Sequence, residues 1–264
     1  MPELPDVSVF KKYLDSTALH QRIGDVEVAD KDVLGDTGPR KLAERMRDHE
    51  LVSSRQHGKY LFVETDGSVW LLLHFGMTGF LKYFKKESQS PSHARVYFHF
   101  ANGYTLAYDS QRKLGQVDVV EDPAGVIADK SLGPDPLNSD FDLNDFRKAI
   151  SERSGAIKSF LMNQSVMAGV GNVYSDEILF DAGIHPKSPV GDLDDDDVKR
   201  VYHSMEKVLK TAIRCQVDPE RFPKHYLLPH RRDGEPCPRC KGTIRKATIS
   251  SRSAYFCDRH QASR

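Results

Sequence analysis

Met1-Pro2-Glu3-Leu4-Pro5-Asp6 opens a chain of 264 residues, and this stretch carries its most unusual chemistry. Once Met1 is removed, which a small second residue such as proline permits, Pro2 becomes an N-terminal secondary amine that can act as a nucleophile. A terminal amine titrates at about 7.7 to 8.0, against about 10.4 for lysine, so part of it is neutral at physiological pH. Attack on a sugar C1′ carbon would give an iminium ion, and the neighbouring Glu3 is of a type that passes protons. A frayed terminal tail is the simpler interpretation, and the rest of the chain has to decide between the two.

The composition is that of a globular protein with room for one large domain or two ordinary ones. Apolar residues make up 39% of the chain and charged residues 29%. No apolar run approaches the roughly 20 residues needed to span a bilayer, and the N-terminus lacks the apolar segment of a signal peptide. We therefore expect a monomer in the cytoplasm or nucleoid, with no membrane partner and with reduced cysteines.

Charge is distributed unevenly along the chain, although the net charge is zero. Residues 221–264 contain 11 Lys and Arg against 3 Asp and Glu, which leaves 27 against 35 for residues 1–220. A basic C-terminal module on an acidic body suits an anionic partner such as a nucleic acid. A solvated basic tail would give the same composition.

Strand signals dominate residues 50 to 120. Short apolar or alternating runs surround Asp66-Gly67 and Asn102-Gly103, two dipeptides that are typical of hairpin turns. This pattern predicts a sheet-rich sandwich or barrel. Lys59 directly precedes one of these strands, where a solvated edge lysine is the simpler interpretation.

Helical signals dominate beyond residue 140. The segment LGPDPLNSD, residues 132–140, concentrates turn-forming residues and predicts the division between the two halves. We predict a sandwich domain over 1–131, a linker over 132–139, a helical domain over 140–228 and a hairpin module over 229–264.

Two glycines interrupt the helical half at Met167-Ala168-Gly169-Val170-Gly171-Asn172-Val173-Tyr174. A tight glycine turn followed by Asn at a helix start directs backbone N–H groups and an amide toward one point, which fits a phosphate. A glycine turn between packed helices with an Asn cap is the alternative.

The cysteines and one histidine near the C-terminus have metal-ligand spacing. Cys237, Cys240, Cys257 and His260 form a C-x2-C-x16-C-x2-H pattern. Two short-spaced pairs match tetrahedral zinc, and Cys3His is an accepted structural donor set. With four ligands filled, the predicted zinc is structural, with one ion per chain and no cofactor for catalysis. Cys215 has no short-spaced partner and is expected to be a buried free thiol.

Together these motifs resemble the formamidopyrimidine-DNA glycosylase and endonuclease VIII superfamily from end to end. The signatures are Pro2 to Asp6, Lys59 before a strand, the segment His74 to Gly79 (HFGMTG), Gly169 to Tyr174, and Arg252 between the two ligand pairs. Any one of them is weak, but all five occur in the family's order.

The resemblance implies an α+β fold. It consists of an N-terminal β-sandwich flanked by helices, a helical domain with a helix-two-turn-helix, and a β-hairpin zinc finger. It also implies a bifunctional DNA glycosylase and AP lyase of base excision repair, acting on double-stranded DNA that contains oxidised bases or AP sites.

Several residue roles follow from the resemblance. Pro2 would form the Schiff base and Glu3 would protonate the opened sugar. Lys59 would contact the DNA backbone and assist β-elimination, and Arg252 would bind a phosphate and assist δ-elimination. The further DNA contacts implied are His74, His93, Lys158 and Asn172.

The residues that would fill the hole left by an extruded base match Met77, Arg112 and Leu114. Extrusion costs a few kcal/mol, least at a damaged pair. Here the family's Asp-Pro-Arg-Arg-Phe-Gly reads Asp109 to Gly115 (DSQRKLG), which is one residue longer and has an aliphatic residue in place of the aromatic wedge.

Two further departures concern substrate and metal. Residues 216–225 (QVDPERFPKH) lack the glycine- and threonine-rich loop that caps 8-oxoguanine in relatives, so oxidised pyrimidines, ring-opened purines or hydantoins are equally good expectations. His260 stands where bacterial relatives usually have Cys.

Two other functions fit parts of the sequence. A non-catalytic protein that recognises damaged DNA or AP sites would keep the same phosphate-binding residues and lose turnover. A zinc-hairpin adaptor would explain the cysteine pairs but not the N-terminal half.

Overall fold

A computed structural model describes residues 1–261 and divides the chain into two compact units. Residues 1–2 and 6–130 form the N-terminal unit, whereas residues 3–5 group with the chain from Ser131 onward in the C-terminal unit. The first few residues are thus shared between the two units. The finer boundaries predicted at residues 139 and 228 stay predictions.

The N-terminal half contains three helices and eight strands within the described residues. They are α1 (Leu4–Thr17), β1 (Ile23–Val28), α2 (Pro39–Met46), β2 (Leu51–His57), β3 (Tyr60–Thr65), β4 (Trp70–His74), β5 (Phe80–Phe84), β6 (Ala94–Phe100), β7 (Thr105–Asp109), β8 (Gln116–Val120) and α3 (Pro123–Asp129).

These strands form two antiparallel four-stranded sheets. One sheet has the order β1-β6-β7-β5 and the other β2-β3-β4-β8. In β6 every second residue is buried, as expected for a strand with one covered face. Apolar residues from both sheets and from α1, including Leu14, Leu73 and Phe98, share one buried cluster. The predicted sandwich is confirmed.

The C-terminal half contains four helices and one hairpin within the described residues. They are α4 (Leu143–Ser151), α5 (Ile157–Met162), α6 (Asn172–Ala182), α7 (Asp195–Arg214), β9 (Arg245–Ile249) and β10 (Arg252–Phe256). Their apolar faces form a second core around Phe146, Ile178 and Met205, all fully buried. The predicted helical domain followed by a β-hairpin is confirmed.

Helix α6 is unusual because it is covered on nearly every side. Residues 174–180 are all buried, including three consecutive polar residues, Ser175, Asp176 and Glu177. A helix that is buried all round needs partners for its polar groups, and these partners position the functional residues around it.

The β9–β10 hairpin turns through Ser250 and Ser251, both with positive φ (46° and 62°). Two left-handed central residues define the turn whose twist matches that of paired strands. Arg252 comes directly after this turn and pairs with Ile249. Among the helices of residues 1–261, none combines the length and apolarity that crossing a membrane requires.

Candidate nucleic-acid interface and zinc site

The carboxylate of Glu3 lies at the N-terminus of α6, inside the C-terminal unit. It accepts hydrogen bonds from the backbone N–H groups of Gly171 (2.8 Å), Val173 (2.8 Å) and Tyr174 (3.2 Å). Leu4 adds a backbone hydrogen bond to the carbonyl of Gly169 at 3.0 Å. The segment next to Pro2 is therefore anchored, which contradicts the interpretation of a frayed tail.

Gly171 is required by the closeness of this contact. A Cβ atom at position 171 would lie 2.5 Å from the Cδ of Glu3, closer than real Cβ atoms approach other heavy atoms. The two-glycine turn thus admits the Glu3 carboxylate to the helix terminus. Its anion site, which the sequence assigned to a phosphate, is occupied largely by the protein's own Glu3.

Asn172 keeps donors that Glu3 does not use. Within the described residues, neither its backbone N–H nor its side-chain amide N–H donates to a protein acceptor, and its Oδ1 is buried without a partner. Phosphate oxygens only accept hydrogen bonds, so a residue with unused donors at a helix N-terminus suits a phosphate.

Lys158, which the resemblance implies as a DNA contact, is buried beside α6. The residue is 1% exposed, and its ammonium donates to Asp176 Oδ1 (2.6 Å), Ser175 Oγ (2.8 Å) and the Asn172 carbonyl (3.1 Å). Because an ammonium has three donors, all are used. A direct phosphate contact by Lys158 is not supported by this geometry, and burial lowers the pKa of its ammonium.

Arg252 is exposed at the start of β10, directly after the hairpin turn. The hairpin is held to the helices nearby, because Ser250 Oγ lies 2.7 Å from Ser159 Oγ and the Tyr255 N–H donates to Asp176 at 3.1 Å. An exposed guanidinium on a fixed hairpin matches the geometry of a phosphate contact.

Three of the four predicted zinc ligands are brought together. The thiols of Cys237, Cys240 and Cys257 all lie within 4.8 Å of one another, and this is the one such group found in residues 1–261. The N–H of Gly242 points to the Cys240 sulfur at 3.3 Å, a hydrogen bond that supports a thiolate ligand. A Cβ at Gly242 would lie 2.8 Å from the Cys257 sulfur, so only glycine fits beside the thiols. The donor set fits structural zinc.

His260 lies beside this cluster but outside its 4.8 Å limit. Its Nε2 lies 2.9 Å from the Phe180 carbonyl and its ring packs on the Phe180 ring. A histidine that donates from Nε2 to a carbonyl keeps its Nδ1 lone pair for a metal, a common outer-shell arrangement. His260 as the fourth ligand stays a prediction.

Lys59 and His74 lie close together in the N-terminal unit. Lys59 is 9% exposed and follows Gly58 in the turn between β2 and β3. The β3–β4 pairing sets Tyr60 opposite His74, with ring centroids 4.8 Å apart. Burial, together with the charges of Lys59 and Lys130, lowers the pKa of His74 to about 4. His74 is therefore a neutral hydrogen-bonding group at physiological pH.

The two loops that carry Met77 and Leu114 touch each other within the same unit. Gly76 has φ of +55°, and a Cβ there would lie 2.3 Å from the backbone of Leu114. The N–H of Arg112 donates to Thr78 Oγ1 at 3.1 Å. Met77 is 39% exposed and Leu114 is 55% exposed, although both are large apolar residues. The structure thus brings three of the predicted DNA-contacting residues together.

The backbone of His93 is hydrogen-bonded to the start of the segment Asp109 to Gly115. Its N–H donates to the Asp109 carboxylate at 2.8 Å, and its carbonyl accepts from the N–H of Ser110 at 3.0 Å. Its imidazole is half-buried, with Nδ1 3.0 Å from Ser92 Oγ.

Sequence reasoning missed Asp176 and Arg231. Asp176 is fully buried and binds Lys158 and Arg231, whose guanidinium also stacks on the Tyr255 ring at 4.4 Å. The available signal was a pair of adjacent acidic residues, Asp176 and Glu177, followed directly by the apolar run Ile178 to Phe180. Buried acids in such a segment need partners.

Three family models match the chain in order. They are the formamidopyrimidine-DNA glycosylase N-terminal domain (residues 1–117), the formamidopyrimidine-DNA glycosylase H2TH domain (132–222) and the zinc finger found in FPG and IleRS (234–259).

Relatives match over the whole length. The formamidopyrimidine-DNA glycosylases of Herpetosiphon aurantiacus and Solibacter usitatus are 31% and 32% identical, with 99% and 97% of this chain and 100% and 98% of theirs covered. Among solved structures, the complex of Lactococcus lactis Fpg with DNA containing an abasic site has a TM-score of 0.90 and 26% identity, covering 99% of this chain and all of that one.

The sandwich, the helical unit and the three-thiol hairpin thus define a DNA glycosylase with a zinc finger. The chain belongs to the formamidopyrimidine-DNA glycosylase family, whose members act in base excision repair.

Proposed function

We propose that this protein is a bifunctional glycosylase and AP lyase that uses Pro2 as its nucleophile. The observation that supports this most is the anchoring of Glu3 by three backbone N–H groups, since it fixes a carboxylate next to Pro2. A protein that only recognised damage would not need a proton carrier beside Pro2. That non-catalytic function is the alternative.

The chemistry needs one amine and one proton carrier. The neutral Pro2 nitrogen attacks C1′ of the damaged nucleotide, and the base leaves with the electron pair of the glycosidic bond. Glu3, held as a hydrogen-bond acceptor, takes the amine proton and gives it to O4′ as the C1′–O4′ bond breaks. The product is an iminium ion between Pro2 and the opened sugar, which makes the C2′ proton acidic enough for β-elimination.

Elimination and strand binding use the cations already described. Lys59 contacts the backbone and assists proton transfer in β-elimination, while Arg252 binds a phosphate and assists δ-elimination. Asn172 binds a phosphate through its unused donors. The neutral imidazole of His74 and the half-buried imidazole of His93 make further contacts with the DNA. No cofactor takes part in these steps, and the zinc ion stabilises the hairpin that carries Arg252.

Met77, Arg112 and Leu114 would occupy the space of the extruded nucleotide. Two of them, Met77 and Leu114, are large apolar side chains exposed on loops that touch each other, and neighbouring exposed apolar groups are typical of interaction sites. An aliphatic Leu114 would stack less on the orphaned base than an aromatic residue would.

Residues 216–225 bear on the choice of lesion. Gln216 and Val217 both have positive φ (56° and 53°), and Phe222 and nearby Tyr226 are 5% and 2% exposed in the helical core. A segment anchored in this way is poorly suited to fold over a base. Oxidised pyrimidines and ring-opened purines are therefore the preferred substrates in this proposal. A Lactococcus lactis relative has been solved with DNA containing Fapy-dG, a ring-opened purine.

Borohydride trapping tests this function directly. The purified protein, with Met1 removal checked by mass, is incubated with borohydride and a duplex that contains an AP site, dihydrouracil or 8-oxoguanine. We expect a covalent adduct on the AP duplex that disappears in Pro2→Gly, and a stronger adduct on dihydrouracil than on 8-oxoguanine. Salt-sensitive binding without an adduct on any duplex would favour the recognition protein instead.

A further inference from the structure

Asp176 joins three separate segments of the C-terminal unit through one buried carboxylate. It accepts from Lys158 of α5 at 2.6 Å, from Arg231 at 2.7 Å and from the backbone N–H of Tyr255 in β10 at 3.1 Å. Its side chain is completely buried.

The position of these contacts connects the two proposed phosphate-binding residues. Asp176 lies about one helical turn after Asn172 on α6, and Tyr255 lies three residues after Arg252 on β10. Lys158 extends the connection, because it binds Asp176 and also the carbonyl of Asn172 at 3.1 Å. One network of hydrogen bonds therefore fixes both the start of α6 and the strand that begins with Arg252.

Arg231 strengthens the attachment of the strand. Its guanidinium stacks 4.4 Å from the centre of the Tyr255 ring while it donates to Asp176. The side chain is 19% exposed, and its buried Nε has no hydrogen-bond partner among residues 1–261. Tyr255 is thus held from both its backbone and its ring.

The charges make this network sensitive to a single change. One carboxylate pairs with two cations, so its loss would remove the ion-pair partner of the buried Lys158 and of the partly exposed Arg231. Asparagine has the same shape and can still accept the N–H of Tyr255, but it cannot neutralise Lys158 and Arg231. The strand would then lose its fixed orientation before it lost its pairing with β9.

We propose that Asp176 is a positioning residue that sets Arg252 relative to Asn172, so that both phosphates flanking the reacting nucleotide are held at one spacing. This inference rests on the proposed function, in which Arg252 assists δ-elimination. In this role, a buried residue of α6 holds the β9–β10 hairpin at a fixed position relative to the N-terminus of α6.

The test is the ratio of β,δ-elimination to β-elimination products on an AP-site duplex. Because a displacement of about 1 Å can cost about 100-fold, we expect Asp176→Asn to lower the δ-elimination rate by about 10- to 100-fold. The borohydride-trapped adduct at Pro2 should change by about twofold or less. A defect of folding alone would lower both together.

A double-mutant cycle with Arg252→Met separates positioning from general damage. If Asp176 acts through Arg252, the double variant should match Arg252→Met alone within about twofold, because the two losses are not independent. Arg231→Gln, which keeps the Lys158–Asp176 pair, should shift the product ratio in the same direction but less. Arg231→Gln replaces Asp176→Asn in this test if Asp176→Asn fails to fold. Folding of each variant is checked by its zinc content and by circular dichroism.

Asp197→Asn is the matched control. Asp197 is a buried carboxylate of the same unit, but its side chain pairs with Arg200 within α7. It should leave the product ratio unchanged. The inference would be overturned if wild type, Asp176→Asn and Arg231→Gln gave the same ratio of β,δ-elimination to β-elimination products. It would also be overturned if the rate losses of Asp176→Asn and Arg252→Met multiplied in the double variant. A wild-type protein that forms no adduct would instead overturn the proposed function.

Discussion

The contact between Glu3 and the start of α6 depends on the absence of a single carbon atom. Gly171 lets the carboxylate approach three backbone N–H groups, and any side chain at that position would occupy the same space. A carboxylate satisfied in this way has little freedom to rotate, which suits the proton transfer that we propose for Glu3.

Gly171→Ala should therefore impair the chemistry more than the fold. The added Cβ would lie 2.5 Å from the Cδ of Glu3 and displace the carboxylate. We expect the rate of adduct formation in borohydride trapping to fall by about 10-fold or more. Gly191→Ala is the control, because a Cβ there meets no heavy atom of the described residues within 4 Å apart from its chain neighbours, and it should trap at the wild-type rate. Equal rates in both variants would show that the Glu3 contact is dispensable.

Lys59 and His74 should differ in how they respond to salt. Neutralising a phosphate contributes about 0.9 to the slope of log affinity against log salt, and only a charged group does so. Burial and two nearby lysines lower the pKa of His74 to about 4, so it is uncharged at pH 7. We expect Lys59→Ala to reduce the slope by about 0.9 and His74→Gln to lower affinity with the slope unchanged. Lys41→Ala, at an exposed site on α2, should change neither.

Among the residues of the candidate site, the sequence allowed those with a strong local signature to be predicted. The cysteine spacing identified three thiols that lie together in the structure. It could not show that Glu3 would occupy the helix terminus, because that contact joins residues 168 positions apart. The burial of Lys158 could not be predicted for the same reason, since its acceptors lie 14 to 18 residues away on another helix.

At the scale of elements, the acidic residues of α6 connect this helix to several neighbouring segments. Glu177 accepts from the N–H groups of Leu227 (2.8 Å) and Leu228 (2.6 Å), which precede the hairpin. Asp181 pairs with Lys207 of α7 and with Arg239 between two of the thiols. The helix therefore holds both α7 and the zinc hairpin through buried carboxylates.

Glu177 should give the stability of the C-terminal unit a distinctive pH dependence. Burial raises the pKa of its carboxyl from 4.5 to about 7. Between these values the folded protein holds a proton that the unfolded chain has released, so stability falls as pH rises through this window. The full effect is on the order of 3 kcal/mol.

Glu177→Gln should remove this part of the pH dependence, because glutamine does not titrate. Thermal melting at pH 5 and pH 7.5 measures the difference, which should be smaller in the variant than in wild type. Glu152→Gln, at an exposed position, should keep the wild-type difference. A pH dependence that survives in Glu177→Gln would mean that other groups cause it.

The elements with a clear pattern were predictable, and those defined by their neighbours were not. The helical half beyond residue 140 and the hairpins at Asp66-Gly67 and Asn102-Gly103 are present in the structure as predicted. In contrast, β1 contains Gly24-Asp25, which is typical of a turn, and it forms a strand by pairing with β6 across a bulge. β8 includes Asp118, whose buried carboxylate binds the N–H groups of Asp36 and Thr37.

The whole molecule consists of two units with separate hydrophobic cores. The zinc ligands belong to the C-terminal unit and pack in a small cluster of their own with Phe180, Leu227 and Ile244. Loss of the metal should therefore act on the hairpin without unfolding the sandwich.

Cys257→Ala should separate these parts. We expect it to lose zinc and to bind an AP-site duplex about 10- to 100-fold more weakly, because a charge-assisted contact at Arg252 is lost. The melting transition of the N-terminal unit should stay at its wild-type temperature. Cys215→Ala is the control. It removes a buried thiol that donates to the Arg221 carbonyl and lies outside the three-thiol cluster, so this variant should keep its zinc. Zinc retained in Cys257→Ala would contradict the assignment.

The hydrogen bond between Glu3 and Gly171 also sets the earliest time during synthesis at which the Glu3 carboxylate can reach its native position. The two residues are 168 positions apart, so at about 5 to 20 residues per second the ribosome makes the second roughly 10 to 30 s after the first. Until then the carboxylate has no amides to bind, whatever the state of the sandwich. In a nascent chain the Glu3 carboxylate therefore lacks its native hydrogen-bond partners until the helical half has been translated.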